Sequence, residues 1–195
     1  MIRQGKSFLP LVLSALMAAL TAASAFVRIP TGLVPVTLQT FFVLLAGGML
    51  GSRYGGLSQV VYLMLGLIGL PVFAGGVSGP AAILSPTFGY LLGFPLAAWI
   101  VGRCAARRER VGYGYLFAST VAGLAAIYVL GVLHLFLHLN WIAGTSMSLW
   151  KVMGIGVLPF VPFDLLKCAL STWIVIRIQD RMRFMRARSP ATPEN

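Results

Sequence analysis

The stretch YGGLSQVVYLMLGLIGLPVFAGGVSGPAAILSPTFGYLLGFPLAAWIVG, residues 54–102, contains no charged side chain. Residues 7–27, 29–52 and 111–150 are also free of Asp, Glu, Lys and Arg. About 20 apolar residues are enough to span the hydrocarbon core of a bilayer, so these stretches predict transmembrane helices. We therefore expect an integral membrane protein in which nearly the whole chain is embedded.

The composition excludes an ordinary soluble domain. Of the 195 residues, 58% are hydrophobic and 10% are charged, and the mean hydropathy is +0.90. Soluble domains carry about a quarter charged residues. The two cysteines, Cys104 and Cys168, are isolated and predict neither a disulfide framework nor a zinc site.

The hydrophobic pattern predicts an all-α fold of six transmembrane helices in one domain over residues 1–195. The first helix is expected at 7–27, and the second and third begin within 34–51 and within 55–70, respectively. The fourth and fifth are expected at 88–102 and 114–137, and the sixth runs from a break at Pro159 and Pro162 to about 182. A short further helix is expected around 148–156, and residues 184–195 are expected to form a disordered basic tail. Ala23-Ser24-Ala25 leaves a cleaved signal peptide as an alternative, but the long apolar run favours a retained first helix.

The basic residues predict the orientation. The net charge of +11 would suggest nucleic acid in a soluble protein, but these bases lie in short loops and at the termini, where they meet anionic lipid. With the N-terminus inside, twelve of the 15 Lys and Arg are cytoplasmic, Arg28 and Lys151 are on the other side, and Lys167 lies within a span. Both termini are therefore predicted to be cytoplasmic, in a multi-pass protein of the plasma (inner cell) membrane.

Asp164 and Lys167 are the first candidates for function. They are three residues apart near membrane depth, so on a helix they share a face and can pair. An ionisable residue at this depth is by default a functional hypothesis. The alternative is that Asp164 only caps the helix after Pro162 and that Lys167 neutralises it.

Further polar residues are expected at the outer ends of the helices, where they could surround a small ligand together with that pair. They are Thr37, Gln39, Thr40, Thr87, Tyr90, Asn140, Ser146 and Ser148. For each of them, hydrogen bonding between helices is the alternative.

Helix one carries two rows of small residues at a spacing of four, which let another helix approach closely, either within the chain or from another subunit. The rows are Ser14, Ala18, Ala22 and Ala15, Ala19, Ala23. His134 and His138 are also four apart, but without a third ligand they do not predict a metal site. The sequence has no catalytic or nucleotide-binding motif, so any ATP would be hydrolysed by another subunit.

Four blocks in order resemble the biotin-specific substrate-binding subunits (BioY family) of energy-coupling factor transporters. They are VPVTLQTFFVLLAG at 34–47, GLPVFAGG at 69–76, SPTFGYLLGF at 85–94 and PFVPFDLLK at 159–167. Two glycines of the family pattern are replaced here, by Phe88 and Phe163.

The resemblance implies a non-enzymatic membrane subunit, without a cofactor, that binds biotin from the outside. It places the vitamin contacts on Asp164 and Lys167, with Tyr90, Gln39, Thr37 and Thr87 as further candidates. It also implies that helix one docks a transmembrane coupling subunit that works with ATPase subunits, and that a loop closes over the ligand. The segment around Gly75, Gly76 and Gly79 is our candidate for that loop.

Three other functions remain open from the residues. The chain could be a binding subunit for another vitamin, or an intramembrane enzyme that uses Asp164 with His134 or His138. It could also be a purely structural membrane subunit.

Overall fold

The computed structural model describes residues 8–30, 33–107 and 111–188, with side chains described up to residue 182. In chain order its elements are α1 (Leu9–Ser24), β1 (Arg28–Ile29), β2 (Val36–Thr37), α2 (Gln39–Leu67), a 3₁₀ turn (Pro80–Leu84), α3 (Phe88–Ala105), α4 (Tyr113–Leu137), a π-helical turn (His138–Ile142), α5 (Leu149–Gly156) and α6 (Val161–Arg188). The described chain is thus mostly helical. Of the predicted tail, residues 189–195 lie outside the described residues, and the backbone of α6 continues to Arg188, so the tail stays a prediction.

The predicted helices at 34–51 and 55–70 correspond to one element, α2, which is interrupted at Gly51. This residue has φ 75° and ψ −179°, a conformation that glycine adopts readily and other residues avoid. A β-carbon added to Gly55 would lie 2.8 Å from the carbonyl oxygen of Ala46, although in a straight helix these residues would be about 13 Å apart. The chain therefore reverses at Gly51, and the arms 39–50 and 52–67 pack against each other as a helical hairpin.

Within the described residues, two helices are long and apolar enough to cross a membrane by themselves: Phe88–Ala105, and Tyr113–Ile142 with its π-helical turn. Leu149–Gly156 and Val161–Met182 would form a third span together, bent by 53° at the break between them. The break lies where Pro159 and Pro162 predict it. Pro162 stands in the first turn of α6, where its missing N–H costs no hydrogen bond.

The hairpin of α2 is the centre of the packing. It contacts α1, α3 and α6, and α4 packs on α3, α5 and α6. On α1, Met17, Ala18 and Thr21 are buried, whereas Val12 and Leu16 on the same helix are 61% and 50% exposed. Such an apolar outer surface suits lipid rather than water.

Close approach of the two α2 arms to α3 depends on small residues. A β-carbon added to Gly47 would collide with the backbone carbonyl of Ala98 on α3, which cannot rotate away as a side chain can. We therefore expect Gly47→Ala to cost about 1–3 kcal/mol of overpacking. The apparent Tm in detergent should fall by about 3–10 °C.

Gly154→Ala is the matched control, because a β-carbon at Gly154 on α5 meets no atom within 4 Å. Thermal unfolding of both variants, followed by intrinsic fluorescence, measures the difference. Equal Tm values for the two variants would contradict the close packing at Gly47.

Candidate ligand-binding site

A cavity lies between α2, α3, α4, α6 and the segment that joins α2 to α3. The centre of a water molecule can move within about 70 Å³ of this cavity. A single bound water needs several times less. Its wall combines aromatic and aliphatic side chains with a few polar groups. The lining residues are Val34, Pro35, Val36, Thr37, Gln39, Thr40, Phe73, Ala74, Val77, Ala82, Ser85, Thr87, Tyr90, Leu91, Phe94, Ile127, Tyr128, Phe160, Asp164 and Lys167.

The ion pair between Asp164 and Lys167 forms the polar end of this cavity. Lys167 Nζ lies 2.6 Å from Asp164 Oδ1, and their side chains are 10% and 7% exposed, respectively. Lys167 Nζ also donates to the backbone carbonyl of Thr37 at 2.6 Å, and Tyr128 Oη donates to Asp164 Oδ2 at 2.6 Å. Both charges are therefore compensated, as burial requires.

A second group of hydrogen bonds connects β2 with both arms of α2. Thr37 Oγ1 donates to Gln39 Oε1 at 3.0 Å, and Gln39 Nε2 donates to the hydroxyl of Tyr62. Tyr62 Oη in turn donates to the carbonyl of Val72 at 3.2 Å. The cavity wall is thus joined to the start of the segment that lies over it.

Tyr90 and Thr87 enter the cavity wall from the start of α3. Tyr90 Oη donates to the backbone carbonyl of Gly156 at 2.8 Å, so its hydroxyl proton is used within the chain. Thr87 Oγ1 lies 3.0 Å from Ser85 Oγ. The Tyr90 ring packs against Gly131 on α4, where a β-carbon would collide with it.

All six residues predicted to bind a ligand, and Thr40 beside them, line this one cavity. Asn140, Ser146 and Ser148 do not line it. Asn140 Nδ2 donates to the carbonyls of Phe136 and Met147 at 2.9 and 3.1 Å. It therefore holds the turn after α4, a local contact that is neither a ligand contact nor a hydrogen bond between two helices.

Tyr128 is the main wall residue that sequence reasoning missed. It is placed by α4, far from every motif in the chain, and reaches Asp164 only through the packing of α4 against α6. A signal was present, because Tyr128 is a polar-tipped residue in a charge-free helix, but the sequence gives it no partner. The aromatic wall residues Phe73, Phe94 and Phe160 were likewise not singled out.

The two histidines do not join Asp164. His134 Nε2 lies 3.0 Å from the carbonyl oxygen of Ser85 and its ring contacts Phe88, while neither His134 nor His138 lines the cavity. Among the described residues no three His, Cys, Asp or Glu side chains are grouped to hold a metal ion. An enzyme based on Asp164 and a histidine therefore finds no support in the geometry.

Comparison with known proteins identifies the family of this chain. The model of the BioY family matches residues 3–184. The chain belongs to the BioY family. It is 40% identical to the biotin transporter BioY of Thermotoga maritima over 87% of this chain and 95% of that protein. It is also 41% identical to a probable biotin transporter BioY of Lysinibacillus sphaericus, over 93% and 92%.

A solved relative has the same fold as this BioY chain. The crystal structure of the S-component for biotin from an ECF-type ABC transporter superposes with a TM-score of 0.81, at 27% identity, over 92% of this chain and 95% of that one. Membership of a family of transport subunits means that this chain is not an enzyme by itself. The predicted family, non-enzymatic class and membrane location are thereby confirmed.

The two phenylalanines that replace glycines of the BioY pattern do not enter the cavity wall. Phe88 is buried against His134, and Phe163 points outward with 46% of its surface exposed. Neither side chain therefore takes up space in the cavity.

The two rows of small residues on α1 have different surroundings. Ser14, Ala18 and Ala22 are buried within the chain, and Ser14 Oγ donates to the carbonyl of Tyr54 on α2 at 3.1 Å. Burial leaves these three unable to meet another subunit, which corrects that half of the docking prediction. Ala15, Ala19 and Ala23 are exposed.

The compensation of the ion pair can be tested by a double-mutant cycle. Lys167→Met removes the cation and leaves the buried carboxylate of Asp164 unbalanced. We therefore expect the free energy of unfolding to fall by about 3–5 kcal/mol, with a correspondingly large fall in apparent Tm. Adding Asp164→Asn removes the unbalanced charge and should restore part of that loss.

Thermal unfolding in detergent of the wild type, both single variants and the double variant completes the cycle. If the loss of stability in the double variant equals the sum of the losses in the two single variants, the two charges do not stabilise each other.

Proposed function

We propose that this chain is the biotin-specific substrate-binding subunit of an energy-coupling factor transporter. The observation that carries the proposal is the match over nearly the full length to the S-component for biotin, in a chain whose cavity has one polar end and aromatic walls. Biotin has the complementary form, since it joins a polar ureido group to an apolar sulfur ring and an aliphatic chain.

The ureido ring meets the ion pair in this proposal. Each carboxylate oxygen of Asp164 accepts one hydrogen bond from the protein, from Lys167 or Tyr128, and retains acceptor capacity for a ureido N–H. Lys167 donates to Asp164 and to the Thr37 carbonyl, and its third N–H remains for the ureido carbonyl. Hydrogen bonds to charged partners are the strong ones.

The remaining predicted residues shape the site around the head group. Gln39 and Thr37 hold β2 and α2 in register through their hydrogen bond, and Thr87 and the ring edge of Tyr90 form part of the wall. Phe73, Phe94 and Phe160 supply the aromatic surface on which an apolar ring can pack.

The segment between α2 and α3 is proposed as the lid. Phe73, Ala74 and Val77 of this segment line the cavity, and Gly75 and Gly76 between them have φ of 86° and 75°. Gly79 follows with φ 76°. Glycines absorb the backbone change that opening and closing of a loop demands.

We further propose six membrane spans with both termini in the cytoplasm. The two arms of α2 would be separate spans that meet at Gly51, and α5 with α6 would form the bent last span. The distribution of basic residues supports this orientation. The same distribution assigns the net charge of +11 to the membrane rather than to nucleic acid.

A coupling subunit and ATPase subunits are the proposed partners. The exposed row Ala15, Ala19 and Ala23 is proposed as the surface of α1 that receives the transmembrane coupling subunit.

We expect Asp164→Asn and Lys167→Ala each to weaken biotin binding at least about 100-fold, because each removes a charge-assisted hydrogen bond to the ligand and unsettles the other charge. Calorimetric titration in detergent measures this, with riboflavin and thiamin as ligands that should not bind the wild type. Asp180→Asn is the matched control, on the same helix but outside the cavity wall. Retention of full affinity in both cavity variants, shown to be folded, would remove this assignment.

For the docking surface we expect Ala19→Leu to prevent co-purification with coupling and ATPase subunits while biotin affinity stays within about twofold. The larger side chain keeps two helices apart where only small residues allow close approach. Ala118→Leu on α4, also exposed, is the control and should assemble normally. Assembly of Ala19→Leu at the wild-type level would contradict this surface.

A further inference from the structure

Arg28 is a cation at the rim of the cavity. It stands on β1, and its antiparallel partner on β2 is Thr37, a residue of the cavity wall. Side chains of directly opposed residues leave a two-stranded ribbon on the same face, about 5 Å apart. Arg28 does not itself line the cavity, so its side chain lies outside the wall, next to it.

The Arg28 side chain reaches toward the proposed lid. Its Nη1 lies 2.9 Å from the position that a β-carbon on Gly75 would occupy. Gly75 follows Ala74 and lies two residues before Val77, and both Ala74 and Val77 line the cavity. Val77 is 42% exposed, so the cavity approaches solvent at this point of the lid.

Arg28 also has no acidic partner within the described residues. Among the described residues the structure has one ion pair, Asp164 with Lys167, and Arg28 is in no ion pair. Lys167 is already compensated by Asp164 and the Thr37 carbonyl. The charge of Lys167 is thus balanced within the chain, whereas Arg28 is among the bases that pair with no acid within the described residues.

We propose that Arg28 is a specificity-determining residue that binds the carboxylate of the ligand at the cavity rim. The inference rests on the proposed function, in which the ureido head occupies the Asp164–Lys167 end. The carboxylate lies at the far end of the ligand's aliphatic chain, and the Arg28 side chain extends from β1 to Gly75, so a carboxylate that leaves the cavity beneath the proposed lid meets the guanidinium there. A guanidinium presents two parallel N–H groups to a carboxylate, and because Arg28 adjoins Gly75, the bound anion also favours the closed lid.

Calorimetric titration with biotin and with biotin methyl ester, which lacks the negative charge, tests this. We expect the wild type to bind the ester at least about tenfold more weakly than biotin. Arg28→Ala should lose about tenfold or more in biotin affinity, the usual scale for a hydrogen bond to a charged group, and bind the ester as the wild type does. Arg28→Lys should recover part of the affinity for biotin, and Lys151→Ala, an exposed base outside the cavity wall, should change neither ligand.

The outcomes separate the inference from the proposed function. If Arg28→Ala weakens biotin and the ester by the same factor, Arg28 only holds the lid, and the carboxylate contact is wrong. Unchanged biotin affinity in Arg28→Ala overturns the inference while the proposed function stands. A folded wild type that binds neither ligand would overturn both.

Discussion

The ion pair between Asp164 and Lys167 is the interaction on which the arrangement around the cavity depends. A buried carboxylate or ammonium is tolerated only when it is paired and hydrogen-bonded. The pair satisfies this through Tyr128 from α4 and the Thr37 carbonyl from β2. Two charges on one turn of α6 thus fix how α6, α4 and the β1–β2 ribbon lie relative to each other. The polar end of the cavity is the point at which these elements meet.

Helix packing supplies the second constraint. Because the hydrophobic effect does not drive helices together within lipid, close contact depends on small side chains and on hydrogen bonds between helices. Gly47 and Gly55 let the arms of α2 approach each other and α3. Gln59 Nε2 donates to Thr21 Oγ1 at 3.3 Å and so joins the second arm to α1. Because α1 packs on α2 with its buried face, its exposed alanines remain available on the other side.

The sequence was sufficient for the membrane class, the family, the bent entry to the last helix and the convergence of the polar residues of the cavity. These features follow from local signals: charge-free stretches, paired prolines, and an acid and a base three residues apart. The roles of Tyr128 and of the two rows on α1 were out of reach, because each depends on which helix packs against which face. The same limit explains Asn140, whose amide closes a local turn although its position near a helix end suggested a ligand contact.

The distribution of charge decides which part of a ligand can go where. The cavity's polar end already balances one negative charge with one positive charge, so a neutral hydrogen-bonding head group can bind there without creating an unpaired ion in a region of low dielectric constant. A second anion at that end would compete with Asp164 for Lys167. An anionic group is therefore best placed at the rim, close to water and to Arg28, which pairs with no acid among the described residues. A ligand with a neutral polar head and a distant carboxylate satisfies both requirements in one orientation only, with its head at the Asp164–Lys167 pair and its carboxylate toward the Arg28 guanidinium and the proposed lid.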